Sequence, residues 1–140
     1  MLFTKILVAY DGSNLSKKAL AKAIEIVQQE TAQDAKTPEL HVIHGVQDVS
    51  YAMGTTITID PKISEGVLQE ARDLVPSSID ASYIIQNGSP ANSILDYAHD
   101  NGIDLIIMGS RGLGAIREFF LGSVSHNVVQ NSKVPVLIVK

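Results

Sequence analysis

Glycines and small hydroxyl residues gather in one stretch of the chain, Met108-Gly109-Ser110-Arg111-Gly112-Leu113-Gly114, and return shortly afterwards in Gly122-Ser123-Val124-Ser125. The apolar run Asp104-Leu105-Ile106-Ile107-Met108 comes directly before the first part, so the small residues fall where a buried strand ends and a helix begins. Open α/β sheets hold ligands at that position. Gripping a phosphate chain takes close backbone approach, free N–H groups and a helix N-terminus, and this stretch offers all three. Asp11-Gly12-Ser13-Asn14 is a second candidate: it either brings a carboxylate to a ligand or serves only as a turn and helix cap. The glycines carry a similar alternative, a tight strand-to-helix turn without a ligand, and Ser123 and Ser125 would cap a helix in either case.

The elements that must position these residues follow from hydrophobic patterning. Lys5-Ile6-Leu7-Val8-Ala9-Tyr10 is a continuous apolar run, the pattern of a central strand buried on both faces. A helical stripe follows at Leu15, Ala19, Leu20, Ala23, Ile24 and Val27. Residues 40–46 read as the second strand, and residues 47–60 as a long variable loop that covers a pocket. Asp60-Pro61 opens a second helix with its stripe at Ile63, Val67, Ala71 and Leu74, ended by Pro76. Residues 81–86 form a third strand, and Ser89-Pro90 opens a helix with Ile94, Leu95 and Ala98 on its buried face. Residues 104–108, 123–131 and 134–139 complete the pattern as a fourth strand, a fourth helix and a fifth strand.

This alternation predicts an α/β fold, a five-stranded parallel sheet with right-handed crossovers and helices on both faces. Two doubly wound orders are compatible with it, 3-2-1-4-5 and 2-1-3-4-5. In the first, strands 1 and 4 are neighbours and their following loops face each other across one crevice. The last strand would then be an apolar edge, covered most simply by the same strand of a second subunit.

At 140 residues the chain is expected to be one domain spanning 1–140, large enough for a core without staples. Cysteine is absent, which removes disulfides, thiolate zinc sites and thiol nucleophiles and suits a reducing compartment. A formal net charge of -4 argues against nucleic acid or an anionic membrane as partner. No apolar stretch approaches the roughly 18 to 20 residues of a membrane span, and the N-terminal apolar run is too short for a signal peptide. A cytoplasmic protein is expected.

The glycine segment is not a Walker A loop, lacking Gly-Lys-Ser/Thr, and does not fit the G-x-G-x-x-G register. Its form, Gly109-x2-Gly112-x9-Gly122-Ser123, resembles the signature of the universal stress protein family, ATP-binding branch. Four further segments match in order: Ile6-Leu7-Val8-Ala9-Tyr10-Asp11-Gly12-Ser13, Ser89-Pro90-Ala91 after Gly88, Leu121-Gly122-Ser123-Val124-Ser125, and Val134-Pro135-Val136-Leu137-Ile138-Val139. Gly114 departs from the serine that many members carry there. The resemblance implies a Rossmann-like sheet of the adenine nucleotide alpha hydrolase type in order 3-2-1-4-5. It also implies homodimerisation through residues 134–139 and ATP held between the loops after strands 1 and 4.

Carried onto this sequence, it places Ala9, Tyr10 and Asp11 near adenine and ribose, with Val42 offering backbone groups to the adenine edge. Met108 and Gly109 flank base and sugar, and Gly112, Gly122, Ser123, Val124 and Ser125 surround the phosphates. Arg111 adds a charge there, and Mg2+ or Mn2+ would be held mainly by phosphate oxygens. Arg117 reads as a surface charge.

A catalytic reading has little to stand on. His41 and His44 are three apart on a strand, so they face opposite ways and do not readily share a metal. His99 lies at a helix end. His126 follows the phosphate segment within reach of a γ-phosphate, although a surface or packing role is commoner for such a residue. No Ser-His-Asp set follows from spacing and no G-x-S-x-G elbow occurs. The expected function is therefore an ATP-binding regulatory module of the stress response with at most weak hydrolysis or autophosphorylation. The alternatives are an ATPase or phosphotransferase using Ser123, Ser125 or His126, and a nucleotide-free interaction protein.

Overall fold

Lys5–Ala9 forms β1, and its side chains at Ile6, Leu7 and Val8 are fully buried because the strand lies in the middle of a sheet covered on both faces. The computed structural model describes residues 1–46, 49–52, 55–58, 60–111 and 121–140. The remaining elements are α1 (Asn14–Gln33), β2 (Glu39–Val46), β3 (Val49–Ala52), β4 (Thr55–Thr58), α2 (Pro61–Leu74), β5 (Ala81–Asn87), α3 (Pro90–Asp100), β6 (Leu105–Gly109), α4 (Ser123–Asn131) and β7 (Val136–Val139). The main sheet runs β5-β2-β1-β6-β7 with every pairing parallel. Counting its five strands along the chain, that is the order 3-2-1-4-5.

Alternate residues of the central strands feed two separate cores, as the period of two requires. Ile6, Val8, Leu40, Val42, Leu105 and Ile107 pack with α1 and α2, whereas Leu7, Ile43, Ile106 and Met108 pack with α3 and α4. Strands β5 and β7 lie at the two edges, and each exposes an apolar side chain, Ile85 and Leu137.

Within the stretch expected as a loop, residues 49–52 and 55–58 are strands. β3 and β4 pair as an antiparallel ribbon, Val49 opposite Thr58 and Ala52 opposite Thr55. Val49, Ile57 and the three threonines are β-branched residues that favour extended backbone, a preference outweighed in the sequence by the surrounding turn signals. The buried face of α2 is also turned by one position. Ser64, Leu68 and Ala71 are buried, while Ile63 and Leu74 of the expected stripe are exposed. Both stripes have helical spacing, and it is Leu68 and Ala71, with Val75 just beyond the helix, that join the core formed with β1, β2 and α1. Glu70 lies on the other side of the helix. Its carboxylate accepts from the Tyr10 hydroxyl at 2.7 Å and pairs with Lys17 of α1 at 3.1 Å.

Gly66 occupies the exposed middle of α2, and a Cβ added there meets nothing within 4 Å. Glycine in a helix interior costs roughly 0.5–1 kcal/mol relative to alanine. Gly66→Ala should therefore raise stability by about that amount, seen as a higher urea midpoint at unchanged slope. A lower midpoint would show that the notch is packed.

Asp104 joins the start of β1 to the start of β6. Its carboxylate accepts from the Thr4 amide at 2.8 Å, the Thr4 hydroxyl at 2.7 Å and the Lys5 amide at 3.0 Å. Burial opposes its ionisation, but these hydrogen bonds outweigh that cost and hold its pKa below the ordinary carboxylate value. The stability it contributes is therefore present above the unfolded-state pKa and lost as pH falls through the depressed folded value. Asp104→Asn sets an amide NH2 against N–H donors, so it should cost about 2 kcal/mol at neutral pH. It should also flatten the loss of stability below about pH 4, which urea unfolding across pH measures directly. An acid limb as steep as that of the parent chain would remove Asp104 as its source.

Candidate functional site

The carboxyl ends of β1, β2 and β6 open onto one cavity of about 850 Å3, within the usual range for small-molecule sites. It forms where β1 and β6 lie side by side and their following helices leave to opposite faces, α1 to one core and α4 to the other. The two halves of the cavity differ in chemistry. Ala9, Ile43, Pro90, Ile94 and Met108 make an apolar wall on the α3 side. Asp11, Ser13 and Ser16 from the start of α1, Arg111 after β6, and residues 122–126 at the start of α4 make the polar end.

The turn after β1 is built by its own side chains. Gly12 takes φ +84°, which L side chains rarely adopt. The Ser13 amide donates to the Asp11 carboxylate at 2.9 Å. Ser13 caps α1 by accepting from the Ser16 amide at 3.2 Å, and the Ser16 hydroxyl donates back to the Ser13 carbonyl at 2.9 Å. Asp11 thus has the turn-forming role open to it from sequence while also lying on the cavity wall.

Tyr10 contributes its backbone, since its ring is buried on the α2 side. Burial first, then the hydrogen bond and negative charge of Glu70 and the charge of Asp11, push its phenol far above the ordinary value. It is no proton acceptor at neutral pH. His44 Nδ1 lies 2.9 Å from the Tyr10 carbonyl, which only accepts, so that nitrogen carries the proton. His41 is bonded to Tyr97 of α3 instead, at 2.7 Å. The two histidines diverge as their spacing requires, and among the described residues no group of three or more potential ligands could hold a metal ion.

Glycines that look alike in sequence separate by what surrounds them. A Cβ on Gly109 would lie 2.7 Å from Leu15 Cβ, so this glycine lets α1 close against the end of β6. A Cβ on Gly45 would lie 2.9 Å from Pro90 Cα, so this one lets α3 close against β2. At Gly122 the nearest atom, Arg111 Cα, is 3.4 Å away and φ is −68°, so neither packing nor backbone conformation demands glycine.

Ala9, Tyr10, Asp11, Met108, Gly109, Arg111, Gly122, Ser123, Val124 and Ser125 all come together on this cavity. Val42 does not join them. It is fully buried in mid-strand, paired with Val8 on one side and Tyr83 on the other, and β2 reaches the cavity through Ile43, His44 and Gly45. Gly112, Gly114 and Arg117 lie outside the described residues. Ser125 lines the cavity but its hydroxyl is committed: it donates to the Ser110 carbonyl at 2.7 Å and approaches the Gly122 carbonyl at 3.1 Å.

The wall formed by Gly45 and Pro90 escaped the sequence reading. Its available signal was a glycine inside a strand, which marks close approach by another backbone. Among the described lining residues no serine hydroxyl is bonded to a histidine.

Residues 2–140 match the family model described as the universal stress protein family. Universal stress protein YxiE of Bacillus subtilis is 36% identical over 154 aligned residues, covering 99% of this chain and 100% of that one. Among solved structures, universal stress protein UspA from Lactobacillus plantarum superposes with a TM-score of 0.76 at 25% identity, covering 100% of this chain and 99% of the other. A universal stress protein solved in complex with cAMP has a TM-score of 0.75 at 25% identity, with 99% and 98% covered. With the family pattern matched from end to end and the sheet order shared, this chain belongs to the universal stress protein family.

Proposed function

We propose that the chain binds ATP in the cavity between the ends of β1 and β6 and acts as a nucleotide-dependent regulatory module of the stress response, with little or no hydrolysis. The observation that carries this is the division of the cavity. An apolar wall suited to a purine base adjoins a polar end where α1 and α4 both begin and Arg111 supplies a positive charge. A family member solved with cAMP supports a nucleotide as ligand.

In this reading Met108, Ile43 and Ile94 face the base, Asp11 the ribose, and the first-turn N–H groups of Ser123, Val124 and Ser125 the phosphates. Gly112, next in sequence after Arg111, is expected at the same phosphate end. Mg2+ or Mn2+ would be carried mainly by phosphate oxygens. The protein works as a single cytoplasmic domain, and no helix among the described residues is long and apolar enough to cross a membrane. Edge strand β7, with Leu137 exposed on it, supports a homodimer.

Titration calorimetry with ATP, AMP and adenosine, together with mass spectrometry of ligand released from purified protein, tests the binding reading. ATP should bind more tightly than adenosine. Adenosine binding as tightly as ATP would remove the phosphate end, and multiple turnovers per minute in an ATP incubation would replace the binding module with an enzyme.

A further inference from the structure

The start of α4 is fastened to the end of β6 by a clamp of four hydrogen bonds at Ser110 and Gly122. The Ser110 amide donates to the Val139 carbonyl of β7 at 2.9 Å. The Ser110 carbonyl accepts from the Gly122 amide at 2.8 Å and from the Ser125 hydroxyl at 2.7 Å. The Gly122 carbonyl accepts from the His126 amide at 2.9 Å, the first bond of the helix. Ser110 and Ser125 are 4% and 2% exposed, so water does not compete for these groups. The chain between residues 111 and 121 thus returns to hydrogen-bond distance of the peptide it left, whatever path it takes in between.

We infer that Ser125 is a positioning residue. Its hydroxyl presets the first-turn N–H groups of α4 for phosphate by holding Gly122 against Ser110, and that hydroxyl, unlike the Ser125 amide, does not touch phosphate. This rests on the proposed nucleotide reading. A hydroxyl has a single proton, and here a buried carbonyl takes it. Ordering the N–H groups before ligand arrives removes a cost that binding would otherwise carry. A directly donating serine would instead leave its hydroxyl turned to the cavity and the Ser110 carbonyl bonded to the Gly122 amide alone.

The test compares the parent chain, Ser125→Ala and Ser125→Thr by amide hydrogen exchange without ligand and by affinity for ATP, AMP and adenosine. In Ser125→Ala the Gly122 amide should exchange about tenfold faster, and affinity for ATP and AMP should fall about five- to tenfold together, with adenosine unchanged. Ser125→Thr, which keeps the hydroxyl, should recover both. In the parent chain the Gly122 amide should already be protected without ATP. That measurement needs no variant, and protection appearing only on ATP addition would overturn a preset clamp. Lost affinity with unchanged exchange would make Ser125 a direct ligand, and faster exchange with unchanged affinity would make the clamp purely structural. Either overturns the inference while leaving the nucleotide reading intact. A parent chain that binds no adenine nucleotide removes that reading and the inference with it.

Discussion

A Gly122→Val variant is expected to lose about a hundredfold in ATP affinity while unfolding within about 1 kcal/mol of the parent chain. The folded chain does not need a bare backbone here. The φ of −68° and ψ of 166° at this helix cap suit any residue, and an added Cβ would meet Arg111 Cα at 3.4 Å, the Ser110 carbonyl oxygen at 3.6 Å and Ser125 Oγ at 3.8 Å, ordinary contact distances. What valine adds beyond Cβ is two methyl groups. They must stand between Arg111 and the first turn of α4, or in the mouth of the cavity that these residues line. Both positions lie where phosphate oxygens would need to reach the N–H groups of Ser123 and Val124. Gly122→Ala, whose one methyl fits the existing contacts, should give an intermediate affinity. Calorimetry and urea unfolding on the three proteins decide the matter. Parent-like ATP affinity in the valine variant would move the phosphates elsewhere, and unfolding of the variant would make Gly122 a packing residue.

The parts of the fold that were legible in the sequence are those where one physical requirement dominates. β1 and β6 read as central strands because strands covered on both faces must be apolar at every position, and Ile6, Leu7 and Val8, like the whole of β6, are buried. The start of α2 was legible because Asp60 and Pro61 suit adjacent positions of a helix entry, and the Asp60 carboxylate accepts from the Lys62 amide at 3.0 Å. Legibility failed where two local solutions were equal and a distant residue chose between them. The face of α2 is one such case, settled by which of its residues, Leu68 and Ala71, meet the core of the sheet and α1. The reach of β2 into the cavity is another: register with β1 sets Val8 beside Val42 and Ala9 beside Ile43. Since Ala9 lines the cavity, it is the residues from Ile43 onward that pass its floor. Register is a property of two strands together, and a single strand's composition does not contain it. Ser125 is a third case, because a hydroxyl at a helix start reads the same whether it faces a ligand or a buried carbonyl.

The companion glycine of the same segment should behave in the opposite way. Gly109→Ala is expected to destabilise the fold by about 2–3 kcal/mol, and any loss of ligand should follow from that. The added Cβ would lie 2.7 Å from Leu15 Cβ, 3.1 Å from the Leu15 carbonyl carbon and 3.2 Å from the Arg111 carbonyl oxygen. Most of these are main-chain atoms, so no rotamer change relieves the contact. Either α1 tilts away from β6 or the end of β6 moves. Moving α1 strains the turn in which Asp11, Ser13 and Ser16 bond one another, and moving β6 strains the Ser110 clamp. Leu15→Ala in the same chain cannot relieve the closest contact, because alanine keeps the Cβ. Leu15→Gly does remove that atom and should recover part of the stability lost to Gly109→Ala, a coupling that a double-mutant cycle measures. Additive effects would show that the two residues do not oppose each other. Ligand affinity extrapolated to the folded fraction separates the two glycines: it should change far less in Gly109→Ala than in Gly122→Val. Two glycines that stand in one sequence motif would then answer to different requirements, one to the closure of α1 on the sheet and the other to the approach of phosphate.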